Sequence, residues 1–208
     1  MPRIRLATGG DAAAMHAIYA PIVAETHISF EWAPPSVAEI RGRIEEGLAG
    51  GHPWLVYEDG GEPLAYASAS RHRARAAYRW SAETSIYVGE AARGRGIGRV
   101  LYRALLRVIA LQGYRGAFAG IALPNPASVA LHRALGFEEL GVFRRIGYKA
   151  GAWRDVLWMQ LPLGDEDSPP REPLTLAAAS RLPEWADALA LGAGPDRGHP
   201  GPRAGPGG

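Results

Sequence analysis

Cysteine is absent from all 208 residues, and lysine nearly so. The first absence excludes a disulfide framework, a thiolate nucleophile and a Cys-ligated metal, and it is compatible with a reducing cytoplasm. The second makes 22 of the 23 basic residues arginine, with Lys149 the exception, so the pI is about 9.1 although the net charge is only +2. These arginines are dispersed instead of forming a stripe interleaved with aromatics, so no phosphate-backbone footprint for nucleic acid is expected. No window approaches the roughly 18 uninterrupted apolar residues of a membrane span. MPRIRLATGGDAAAM lacks the apolar h-region of a signal peptide, so the expectation is a soluble, cytoplasmic protein with neither membrane nor nucleic acid as partner.

What is present is an apolar fraction of 47%, enough for one domain with a real core. Composition shifts after Leu163. From Asp165 to Gly208 there are 8 Pro and 7 Gly among 44 residues, a mixture that buries too little apolar surface to offset the entropy of ordering. The expected division is therefore a catalytic domain over 1–163 and a largely disordered tail over 164–208. Within that tail, LTLAAASRLPEWADALAL can form a short amphipathic helix interrupted by Pro183, either docked on the body or floating.

The body alternates strands and helices, which predicts a single mixed α/β (α+β) domain with a central sheet flanked by helices. A strand over Arg3 to Ala7 precedes a helix over Thr8 to Ala20. Ser36 to Leu48 reads as a helix opened by a capping box of Ser36 and Glu39. PWLVYED and PLAYASASRHR read as antiparallel strands around Asp59-Gly60-Gly61. AETSIYVG is a further strand, and Arg99 to Gln112 is the strongest helix, with Leu101, Ala104, Leu105, Val108 and Ile109 on one face and Gly113 as its stop. The strand GAFAGIAL, the helix PASVALHRALG and strands at GVFRRIGY and DVLWMQL follow.

Between the strand AETSIYVG and that helix stands EAARGRGIGR, a place where glycine would weaken a helix and so must serve another need. A strand that turns through Arg93, Gly94, Arg95, Gly96, Ile97 and Gly98 into a long helix gathers unpaired N–H groups and the positive end of a helix dipole at one point. Glycine lets backbone approach phosphate oxygens closely, and the arginines add charge at the rim, so an anion site for a phosphate-bearing ligand is expected. The dinucleotide fingerprint fails because Arg99 stands where its third glycine belongs, and no G-K-[ST] of a P-loop exists.

The spacing Arg93-x-x-Gly96-x-Gly98 resembles the pyrophosphate loop of the GNAT N-acetyltransferases. WLVYED, RARAAYRWSAETSIYV, ALPNPASVALHRALGF and GYKAGAWRDVLWMQL extend the likeness over residues 3 to 163, toward the branch that acetylates phosphinothricin and methionine sulfoximine or sulfone. The resemblance implies the GNAT fold, acetyl-CoA as co-substrate, no metal, a small-molecule amine as acceptor, herbicide resistance when that amine is phosphinothricin, and a homodimer.

Residue by residue, it implies that Ile86, Tyr87 and Val88 form the strand edge that pairs with the pantetheine arm, with the Val88 N–H facing the thioester oxygen. It puts the diphosphate on Gly94 to Arg99, with Arg93 preceding them and Asn125 adding a contact; Asn125 can also cap the helix that begins at Pro126. Glu83 takes the place of the general base that neutralises the attacking ammonium, expected to be partly buried beside Trp80 and Tyr87. His132 stands where many relatives carry a tyrosine acid, so it is an acid, a substrate-positioning group or a packed core histidine. Arg73 and Arg75 match positions lining the acceptor pocket, where guanidinium binds an anion bidentately. Arginine replaces the branch's lysine at the first of these. Phe30, Glu31, Thr84 and Ser85 complete that pocket. Acetylation of protein N-termini or other amines, and a non-catalytic acetyl-CoA sensor, are the alternatives.

Overall fold

A computed structural model of the protein describes residues 1–164 and 168–191. The elements are β1 (Arg3–Leu6), α1 (Ala12–Glu25), α2 (Val37–Ala49), β2 (Trp54–Asp59), β3 (Glu62–Arg71), β4 (Ser81–Val88), α3 (Ile97–Gln112), β5 (Gly116–Ala122), α4 (Pro126–Ala134), β6 (Glu138–Lys149), β7 (Ala152–Pro162), α5 (Leu176–Ala179) and α6 (Trp185–Leu189). Among the described residues the strands form one sheet in the order β1-β2-β3-β4-β5-β7-β6. Every neighbouring pair is antiparallel except β4 with β5, which the crossover through α3 makes parallel.

Local chemistry sets the element ends. Ser36 Oγ accepts from Glu39 N at 3.2 Å and the Glu39 carboxylate accepts from Ser36 N at 2.7 Å, the expected capping box of α2. Helix α1 begins later than expected, after a single turn at Gly9–Asp11, because the Asp11 carboxylate holds Thr8 N and the Arg5 guanidinium there. Gly60 and Gly61, both at positive φ, turn β2 into β3, and Gly113 at φ +95° ends α3.

Strand alternation assigns the two faces of the sheet. Leu55, Ala65 and Ala67 point into the layer formed with α3 and α4, whereas Val56 and Tyr66 point toward α1 and α2. The face of α3 expected to be buried is buried, and Tyr102 joins it, fully enclosed.

The chain beyond Leu163 docks. Leu176, Ala179 and Ala188 are buried, Trp185 packs against the same core as α3, and Leu174 N donates to Gln112 O at 2.7 Å. Packing therefore continues past the domain boundary expected at residue 163, since these apolar side chains cover α3, with Pro183 separating two short helices. Of the tail expected to be largely disordered over 164–208, residues 165–167 and 192–208 lie outside the described residues.

Candidate active site

The sheet opens at its centre. Pairing of β4 with β5 covers only Ser81–Gly116, Ala82–Ala117 and Glu83–Phe118, although both strands continue. His72 N donates to Ser81 O and Gly89 N to Leu64 O, so the odd-numbered residues of β4 spend their main-chain groups on β3. The even-numbered Thr84, Ile86 and Val88 consequently turn theirs toward the gap. Tyr87 does not share that edge, a correction to its expected pairing role. Its main chain belongs to the β3 ladder, and its ring lies on the opposite face of the sheet, 4.8 Å from that of Tyr19.

At the wide end of the gap the glycine turn takes the conformation its composition requires. Gly94 and Gly96 stand at φ +74° and +78°, the left-handed region that side chains resist. Gly96 caps α3, whose first intrahelical bond, Val100 N to Gly96 O, leaves the amides of Ile97, Gly98 and Arg99 pointing out of the helix end. A Cβ at Gly94 or Gly96 would meet no protein atom within 4 Å, so the space before the helix is open. Arg95 and Arg99 are exposed there, and Arg93 Nε donates to Val88 O at 3.3 Å. Ile97 contributes only its amide, since its side chain is buried. Asn125 lies across the gap and accepts from Ser128 N at 3.2 Å as the cap of α4. The amide cluster, the open β4 edge and this second helix start offer free main-chain donors and acceptors of the kind a phosphate-bearing ligand with amide groups can use.

Glu83 is the last β4 residue paired on both sides, with Ser70 and Phe118 as neighbours. Its side chain lies on the face turned toward α1 and α2, about one third exposed, and burial pushes its carboxyl pKa up while Arg73 opposes. His72 rather than Trp80 lies beside it, with Nδ1 3.7 Å from Oε2. The Trp80 indole donates to Arg171 O at 2.7 Å and so faces the C-terminal segment. Arg73 spreads its guanidinium over Trp158 at 5.6 Å, near Glu83, whereas Arg75 is exposed and does no more in the structure than begin a turn over Ala76–Tyr78.

On the same face a cavity of about 200 Å³ is lined by Tyr19, Arg43, Trp54, Ser68, Ser85 and Tyr87. Ser85 thus lines this cavity. Thr84 is not, because strand alternation sends it to the other face, where its hydroxyl meets that of Tyr102 at 2.6 Å. Glu31 walls the cavity indirectly, through a two-pronged ion pair with Arg43 at 2.8 and 3.0 Å and the Tyr19 hydroxyl at 2.9 Å. Phe30 rests its ring in the notch that Gly147 leaves in β6. A larger cavity, about 390 Å³ beside Arg115 and Arg171, is at the other end of α3 from the glycine turn.

His132 is enclosed, 3% exposed, between the rings of Tyr102 and Phe137. Its Nδ1 donates to Ser128 O at 2.8 Å, which leaves Nε2 to accept from the Tyr102 hydroxyl at 3.0 Å. Burial pushes its pKa down, against the Ser128 bond. A neutral imidazole behind Tyr102 is poorly placed to give up a proton, so among the three expected roles the geometry favours packing.

The residues missed in the sequence are His72, Arg43 and Tyr102. The period-two row Ser68, Ser70, His72 runs beside Glu83 and could have found the first. Arg43 carried no signal beyond its place between Ile40 and Ile44. Among the described residues no group of three His, Cys, Asp or Glu side chains could hold a metal ion, and no helix is long and apolar enough to cross a membrane.

The acetyltransferase (GNAT) domain family matches residues 4–158. The chain is 39% identical to a phosphinothricin N-acetyltransferase of Alcaligenes faecalis, over 79% of its own length and 84% of the relative's. It is 36% identical to an L-methionine sulfoximine/L-methionine sulfone acetyltransferase of Pseudomonas aeruginosa, covering 80% and 98%. A crystal structure of a GNAT superfamily phosphinothricin acetyltransferase from Sinorhizobium meliloti, in complex with acetyl-CoA, superposes with a TM-score of 0.79 at 38% identity, over 83% of this chain and 95% of that one.

Proposed function

Because the chain belongs to the GNAT acetyltransferase family, we propose that it moves the acetyl group of acetyl-CoA to the α-amino group of a small amino acid such as phosphinothricin or methionine sulfoximine. The observation carrying this reading is the place of Glu83, where pairing of β4 with β5 ends and two residues before Ser85, which lines the small cavity on the same face.

Each side chain has a task in that reaction. The amides of Ile97, Gly98 and Arg99, with the guanidinium groups of Arg95 and Arg99, hold the diphosphate. Ile86 and Val88 direct the thioester along the gap, and the Val88 N–H stabilises the charge that grows on its carbonyl oxygen. Glu83, whose carboxyl pKa burial raises, draws the ammonium in and serves in the removal of its proton. Arg73 and Arg43 offer the cations for the acceptor's anionic groups.

A small cavity bordered by the Arg43–Glu31 ion pair favours a free amino acid over a protein N-terminus, and a half-buried carboxylate at the gap favours turnover over a sensor. Acetylation of phosphinothricin would remove its ammonium charge, the chemical basis for resistance to that herbicide. The absence of cysteine suits a cytoplasmic site of action. The edge strand β6 presents Leu140, Phe143 and Ile146, each about half exposed, and a second copy of the chain covering them would give a homodimer.

Release of CoA thiol is the test. Phosphinothricin, methionine sulfoximine, methionine sulfone and the ordinary amino acids are each supplied with acetyl-CoA. Fast release with one of the first three supports the reading, and release with none of them but with a peptide N-terminus removes it.

A further inference from the structure

His72 is the first residue beyond β3, and its ring folds back onto the sheet. It stacks on Phe118 with centroids 4.5 Å apart and planes at 18°, and meets Trp158 edge-on at 5.7 Å. A phenylalanine would stack there equally well. The imidazole adds Nδ1, which is buried without a hydrogen-bond partner and lies 3.7 Å from Glu83 Oε2. A polar atom so placed carries an unmet desolvation penalty, which makes it a site awaiting a donor. The separation is too long for a direct bond and short enough for one nitrogen to donate to both atoms.

We propose that His72 is a second catalytic residue of this enzyme: its Nδ1 and the Glu83 carboxylate together receive the ammonium of the acceptor, and Nδ1 takes the proton that must leave before attack. This rests on the acceptor site proposed above. The N–H bond breaks as Nδ1–H forms, and the negative charge of Glu83, 3.7 Å away, stabilises the resulting imidazolium. The freed lone pair bonds to the acetyl carbon while the C–S bond gives its electrons to sulfur. A second nitrogen proton ends on the thiolate, and the imidazolium returns its own to solvent, so ammonium plus thioester become amide, thiol and one proton.

The charged and titratable groups around Nδ1 agree with that task. Glu83 faces it from β4, Arg73 from its own loop and Tyr78 from the following turn, while Phe118 of β5 and Trp158 of β7 bring no charge. Burial and Arg73 press the imidazole toward its neutral, accepting form, and burial presses the Glu83 carboxyl pKa upward.

Two variants test it. His72→Phe keeps the stack and deletes Nδ1, and it should lower kcat by about ten- to a hundredfold. It should also move the acidic limb of the kcat/KM profile to lower pH and leave acetyl-CoA affinity unchanged. His72→Asn offers an acceptor oxygen at the same place without the basicity, so it should keep the amine KM while kcat falls as far. A Phe variant with wild-type kcat and an unmoved limb overturns the proposal, as does a fall in kcat with the limb unmoved, which would reduce His72 to packing. Glu83→Gln separates the two levels: if it is impaired while His72→Phe is not, only His72 loses its role, and if neither is impaired, the acceptor site itself is wrong.

Discussion

A carboxylate does this enzyme's work only if its surroundings change it. On an exposed strand Glu83 would titrate near 4.3 and stay a weak base. The sheet half covers it, raising its pKa, so the ionised base is lost at a higher pH than for an ordinary glutamate as the solution becomes acid. Glu83→Gln should therefore lower kcat about a hundredfold near neutral pH. The deficit should shrink as pH rises toward the acceptor's own ammonium pKa, where solvent removes the proton unaided; rates measured from pH 6 to 10 check it. At Tyr102 the requirement is different. Its hydroxyl is buried between Thr84 and His132, and Thr84 also donates to Phe118 O, so Tyr102→Phe leaves His132 Nε2 without its partner and should cost about 1–3 kcal/mol of stability by thermal unfolding.

Among the elements, β4 and α3 carry the design. Strand β4 pairs fully with β3 and for only three residues with β5, and the release of its edge is what a ligand with amide groups can use. Gly96→Ala tests the start of α3. Its positive φ predicts a loss of about 1–2 kcal/mol for a side chain in the left-handed region, and the new methyl would project into the open cradle. Acetyl-CoA affinity measured by calorimetry should fall by tenfold or more while the fold persists. The two C-terminal helices matter to the same element. Leu176→Ala should cost about 2–4 kcal/mol, as for other buried leucines, and a chain ending at residue 163 should melt at a lower temperature than the full chain, since α3 would lose its cover.

At the scale of the whole molecule, stability depends on a few buried charges tying distant segments. Arg5 donates to both Asp11 and Glu58, joining β1 to β2 and to the turn before α1. Lys149 donates to the carbonyls of Val23 and Glu31, fastening the end of β6 to the last turn of α1 and to the loop after it. The Arg5 guanidinium holds the Asp11 carboxyl below its usual range, and Arg3 and Arg5 do so for Glu58. Groups depressed in the folded state contribute stability above their unfolded pKa and lose it as pH falls through the folded one. Melting temperature should therefore hold from pH 7 to 5 and drop below about pH 4, where unfolded carboxyls begin to bind protons. In Arg5→Met the whole curve should lie lower, because two carboxylates would remain buried side by side.

The sequence by itself determined the order of strands and helices, the capping box at Ser36, the turns at Gly60 and Gly113, and the glycine turn before α3. These are local consequences of periodicity and backbone freedom. It also pointed to Glu83, though only through likeness to a family. Only the tertiary structure decided that Thr84 faces α3, that Tyr87 gives its main chain to β3, that His132 is shut behind Tyr102, and that the segment after Leu163 packs. Which face a strand residue takes, and whether an imidazole lies in the core or in a site, depends on partners far along the chain. His72 became visible beside Glu83 because β3 and β4 run antiparallel in one register, a fact that no stretch of sequence contains alone.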